Sequence, residues 1–107
     1  MDKFSQELEN YLRLAHSSAL LVSQTDKANL NILLEMLGPI DHDIFVAYYG
    51  LFGSVLCPVE QIAQKYRVPQ SAIHEIVEKD LHRLAITPEW QMMKRQLKPI
   101  VRKKIEQ

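Results

Sequence analysis

Apolar residues recur along this chain at intervals of three and four, and nowhere do they alternate with polar ones over a strand's length. Phe4, Leu8, Tyr11, Leu12 and Ala15 form the first stripe, with Glu7, Glu9 and Arg13 on the polar side. This predicts a helix from about Lys3 to about Val22. A break follows at Ser23–Thr25, with Thr25 as the expected N-cap of the next helix. Leu30, Leu33, Leu34 and Leu37 mark that second helix, and Gly38-Pro39 stops it. Asp41 is expected to cap a third, whose core face is Ile44, Phe45, Tyr48 and Tyr49. Gly50-Leu51-Phe52-Gly53 then closes it as a loop.

The stretch from Pro58 to Leu84 carries the most information. A short amphipathic helix runs to Tyr66, a turn covers Arg67 to Pro69, and a longer helix follows. Ile62, Ala63, Val68, Ile73 and Ile76 are spaced to share one small core, with Ala63 small where the second helix must approach. This spacing suits a helix-turn-helix. The second helix is left with a polar face of Gln70, Ser71, His74, Glu75 and Glu78, free for solvent or for a partner such as the major groove of DNA. Arg67 stands where many such turns carry glycine, which implies either a strained backbone or a slightly different turn.

Thr87-Pro88-Glu89 opens a last helix with an N-cap, a proline at the first helical position and an acid near the positive end of the dipole. It carries Trp90, Met93, Leu97 and Val101, and Pro99 kinks or interrupts it. The expected architecture is all-α, a compact domain of about six helices. It divides into an N-terminal helical extension over 1–39, a helix-turn-helix over 40–86 and a basic C-terminal helix over 87–107.

Charge adds an asymmetry. The 107 residues sum to zero, but 1–43 holds three basic and seven acidic residues, 58–84 four of each, and 88–107 six basic and two acidic. An acidic front and a basic tail can steer a partner although the total vanishes. The one cysteine, Cys57, allows no internal disulfide. With no leader-like apolar segment and no run long enough to span a bilayer, a cytoplasmic setting is expected.

Residues 43–84 resemble region four of the sigma-70 family of bacterial transcription initiation factors. The likeness rests on Tyr49-Gly50-Leu51, on Pro58-Val59-Glu60-Gln61-Ile62-Ala63, on Val68-Pro69-Gln70 across the turn, and on Ile73, Ile76, Lys79, Leu81 and Leu84 along the long helix. The chain reads as a diverged, stand-alone copy. The resemblance implies double-stranded DNA as partner, with the promoter read from the major groove. It also implies RNA polymerase, gripped at the flap of its β subunit by the earlier helices. The family's base-facing places fall on Gln70, Ser71, His74 and Glu75, where members usually carry arginine, glutamate, arginine and glutamine. Gln70 suits adenine, and Glu75 can accept only from cytosine.

The functional expectation is therefore a DNA-binding transcription regulator. Gln70, Ser71, His74 and Glu75 lie nearest base edges, and Lys65, Arg67, Lys79 and Arg83 hold phosphates. The alternative is a module that docks on RNA polymerase or another regulator without reading DNA. The apolar stripe of the first helix, with Leu20, Leu21 and Val22, makes a homodimer a further expectation. His74, Glu78 and His82 share a helix face, but with no second cluster of ligand residues a metal site is not expected. Cys57 precedes a helix start with no nameable base, and it reads as a small, half-buried residue rather than a nucleophile. Neither an enzyme nor a cofactor is expected.

Overall fold

The helices are set by their ends. In the computed structural model, which describes residues 1–18 and 21–106, Asp2 caps the first helix, α1 (Lys3–Ser17), accepting from the Ser5 N–H and from the Ser5 hydroxyl, both at 2.9 Å. α1 is shorter than its stripe predicts. The Ser17 hydroxyl bonds back to the Arg13 carbonyl, and Ser18 leaves the helical conformation at φ −136°. Serine side chains that bond the local backbone compete with the next turn of helix. Leu20, expected to extend the stripe, lies outside the described residues.

The second helix, α2 (Gln24–Glu35), is capped by Ser23 and not by Thr25. Ser23 accepts from the Asp26 N–H while Asp26 accepts from the Ser23 N–H, satisfying two otherwise unpaired donors at once. Thr25 has Ala28 at the matching place and can form no such box. The third, α3 (Pro39–Tyr49), starts two residues before Asp41. Pro39 needs no N–H partner and its φ is already helical, so the helix begins there without a side-chain cap. Asp41 falls inside the first turn instead.

α4 (Val59–Tyr66), α5 (Gln70–Ala85), α6 (Pro88–Gln96) and α7 (Pro99–Ile105) complete an all-α fold. The described residues thus form seven helices where about six are expected. Pro99 is the reason. The residue before a proline is driven out of the helical region, Lys98 sits at ψ 146°, and the predicted last helix becomes two.

α5 is the central beam, with α1, α3, α4 and α6 packed around it. It buries Ile73, Val77, Leu81, Leu84 and Ala85. α1 adds Leu8, Tyr11 and Leu12, and α6 adds Trp90, whose ring meets Tyr11 at 5.5 Å between centroids. α4 has only eight residues, too few to persist alone; Ile62 and Ala63, buried against α5, hold it. Phe4, assigned to the apolar stripe, is exposed. At that level Ser5 is buried in its place, with Asp2 turned toward α5. Tyr48 is only partly buried, while Ile44, Phe45 and Tyr49 of the same predicted face are fully inside. A buried ion pair between Glu7 of α1 and Lys94 of α6 ties the two ends of the chain together.

Candidate nucleic-acid interface

α4 and α5 are joined by three residues, Arg67, Val68 and Pro69. Arg67 takes the left-handed conformation, φ 57° and ψ 45°, so the first of the two backbone alternatives holds. A side chain there costs roughly 1–2 kcal/mol. The Val68 N–H offsets this by donating to the Ala63 carbonyl at 3.0 Å, and the Val68 side chain packs on the core at the bend.

The turn aims the first half of α5 outward. Gln70, Ser71, His74 and Glu75 are exposed on it, as their spacing predicts, and Glu78 is exposed where the second half begins. Lys65 and Arg67 are exposed beside them, the Lys65 ammonium lying 5.4 Å from the Tyr66 ring centre. His74 does not stand free. Its Nδ1 lies 3.4 Å from the Tyr48 hydroxyl and the two rings meet edge to face. Burial, then the nearby Glu9 carboxylate, raises the Tyr48 pKa above the usual phenol value. Tyr48 therefore stays neutral beside the imidazole.

The second half of α5 is different ground. Lys79 and Arg83 are exposed, but with Glu78 and His82 they border a shallow cleft whose other wall is Met1, Asp2 and Ser5. His82 Nδ1 reaches Asp2 at 3.0 Å. The Ser5 N–H, then His82, hold the Asp2 carboxyl well below the ordinary carboxylate range. The eight expected contact residues thus fall into two groups. One is an open edge of Lys65, Arg67, Gln70, Ser71, His74 and Glu75; the other is the pair Lys79 and Arg83, flanked by the start of the chain.

Asp80, on the inward side of α5, escaped the sequence reading. It is 2% exposed, and Arg83 approaches it at 3.6 Å. Burial, then the neighbouring Asp41 carboxyl, push its pKa up to about 7, with Arg83 and Lys79 pulling the other way. The Asp80 carboxyl, on the inner side of α5, therefore holds its proton more tightly than an exposed one. A signal was present: Asp80 follows Val77 by three and precedes Leu81, placing an acid in the apolar stripe.

Behind the edge, the Tyr49 hydroxyl donates to Glu9 at 2.7 Å, and Arg13 pairs with Glu9 while lying over the Tyr49 ring. These contacts fix α3 on α1 and so fix Tyr48 beside His74. A cleft of about 930 Å³ opens elsewhere, between α1, α2 and the loop after α3, with His16, Lys27, Asn31 and Phe52 on its walls. Cys57 is half-buried, its thiol 3.8 Å from the Val55 carbonyl. Among the described residues no three His, Cys, Asp or Glu side chains gather as a metal ion requires, and no helix is long and apolar enough to cross a membrane. Comparisons with protein-family models, curated proteins and solved structures find no match to this chain.

Proposed function

We propose that this protein is a DNA-binding transcription regulator of the sigma-region-four type, with the first half of α5 entering the major groove. The observation that carries the reading is the open edge of α5: Gln70, Ser71, His74 and Glu75 are exposed together, directly after a three-residue turn. A recognition helix meets base edges with its N-terminal residues. Gln70 supplies the two-pronged amide that suits adenine, and Lys65 and Arg67 flank it for phosphates. Tyr48 steadies the His74 ring. In this reading Lys79 and Arg83 are secondary contacts, because the chain start stands beside them.

Binding-site selection from a random duplex library at low salt tests it. The expected result is an enriched site whose preference changes with Gln70→Ala and relaxes with His74→Ala. Failure of any duplex to bind at micromolar protein removes the proposal.

One observation favours docking on RNA polymerase or another regulator instead. The loop between α3 and α4 leaves Phe52, Val55 and Leu56 exposed, Val55 at 81%. Capture of the polymerase β flap that is abolished by Val55→Asp, yet unchanged by charge reversal at Lys79 and Arg83, would select that reading over the first.

A further inference from the structure

α6 and α7 hold the densest positive charge of the chain, and the fold turns only one of these cations inward. Lys94 pairs with the buried Glu7. Arg95, Lys98, Arg102, Lys103 and Lys104 are exposed, and none pairs with a carboxylate among the described residues. Most apolar side chains of the two helices are committed to the core: Trp90, Met93, Leu97, Val101 and Ile105 are buried, Met92 and Ile100 are exposed, and Asn10 anchors α7 to α1 through the Ile105 carbonyl at 2.9 Å.

Helix dipoles account for part of this charge and not for the rest. Arg95, Arg102, Lys103 and Lys104 lie in last turns, where a cation is favoured, which leaves Lys98. Lys98 is the N-cap of α7, the end at which the dipole opposes a cation, and it sits four residues before Arg102, where like charges repel. The fold holds Lys98 against both effects. The α4–α5 segment offers no compensating field, since 58–84 carries four acids and four bases. Duplex affinity comes largely from cations that displace counterions, so a duplex reader with a neutral reading edge needs them elsewhere.

We propose that the ridge formed by Arg95, Lys98, Arg102, Lys103 and Lys104 is a second binding surface, for the sugar–phosphate backbone of a duplex. It supplies sequence-independent affinity while α5 supplies the choice of site, and to that extent it rests on the reading above. A bilayer is the less suited polyanion: a surface-bound helix needs a broad free apolar face, and α7 has buried Val101 and Ile105 and leaves Ile100 as its one exposed large apolar side chain.

The test is the salt dependence of binding to a labelled random 20-base-pair duplex, for the whole chain and for the triple variant Arg102→Gln, Lys103→Gln, Lys104→Gln. Its three sites are exposed, and an unchanged melting temperature checks folding. The expected result is a log K against log salt slope shallower by about 2.7, near 0.9 for each phosphate that the variant leaves unneutralised, and at least a tenfold loss of affinity at 0.1 M salt. An unchanged slope with the duplex still bound overturns the ridge and leaves α5 as reader. A slope that falls for the triple variant, while Gln70→Ala and His74→Ala change nothing on a selected site, supports the ridge and overturns the α5 reading. Binding of the whole chain to anionic vesicles and to no duplex overturns both.

Discussion

Lys94 of α6 forms an ion pair with Glu7 of α1, and both lie within the fold, their side chains 18% and 5% exposed. The pair joins the first helix to the last third of the chain and so fixes where the basic ridge begins.

Breaking it from one side leaves a buried charge alone. Lys94→Met or Glu7→Gln should each lower unfolding free energy by about 3 kcal/mol. The double change Lys94→Met with Glu7→Met should recover most of that loss, because the desolvation cost leaves with the charges. Urea titration of the four proteins measures it; equal losses in single and double variants would disprove the coupling.

Asp80 predicts a pH dependence with a definite sign. Its pKa in the fold, about 7, lies above its ordinary value of 3.8, so the folded chain holds the proton more tightly. Its contribution to stability is full below about pH 3.8, declines as pH rises, and is gone above about 7. Asp80→Asn should flatten stability between pH 4 and 7 and raise it at pH 8 by about 1–3 kcal/mol. Asp2 acts in the opposite sense: its depressed pKa adds stability above the ordinary carboxylate value that is lost on further acidification. Thermal melts across pH 2–8 separate the two windows, and an unaltered profile in Asp80→Asn would refute the raised Asp80 pKa.

Arg67 gives a prediction about backbone alone. Glycine tolerates φ 57° without the Cβ clash but loses more entropy on folding. Arg67→Gly should be stabilising by up to about 1 kcal/mol, whereas Arg67→Val, branched at Cβ, should cost at least about 1 kcal/mol. Denaturant midpoints decide it. If Arg67→Gly also weakens duplex binding, the guanidinium is a phosphate contact as well as a turn residue.

Gly50 combines conformation with crowding. It ends α3 at φ 63°, and a Cβ there would stand 2.7 Å from His16 Nδ1 and 3.0 Å from Leu56 Cβ, where His16 now donates to the Gly50 carbonyl at 2.9 Å. Gly50→Ala should cost about 2 kcal/mol. In a His16→Ala background the added cost should be smaller, a coupling that a double-mutant cycle reads directly.

What could be read in the sequence was local. The apolar spacing around Ile62, Ala63 and Ile73 gives α4, the turn and α5, because residues three and four apart share a helix face whatever lies beyond them. The exposed edge from Gln70 to Glu78 follows from the same spacing. Helix starts were harder. Ser23 outcompetes Thr25 through a partner three residues on, and Pro39 makes a cap at Asp41 unnecessary. The long-range pairs left no local trace: Asp2 with His82, Glu7 with Lys94, Tyr48 with His74 and Asp41 with Asp80 depend on which helices become neighbours. The Asp2–His82 pair is what sets a flanked half of α5 apart from its open half.

The ring-to-ring contact of Tyr11 and Trp90 equips the molecule with its own optical gauge. Trp90 is the one indole in the chain and none of it meets solvent. Its emission should stay blue while α6 remains seated on α1 and move red when that seat opens, so loosening of the basic ridge can be followed separately from helical content.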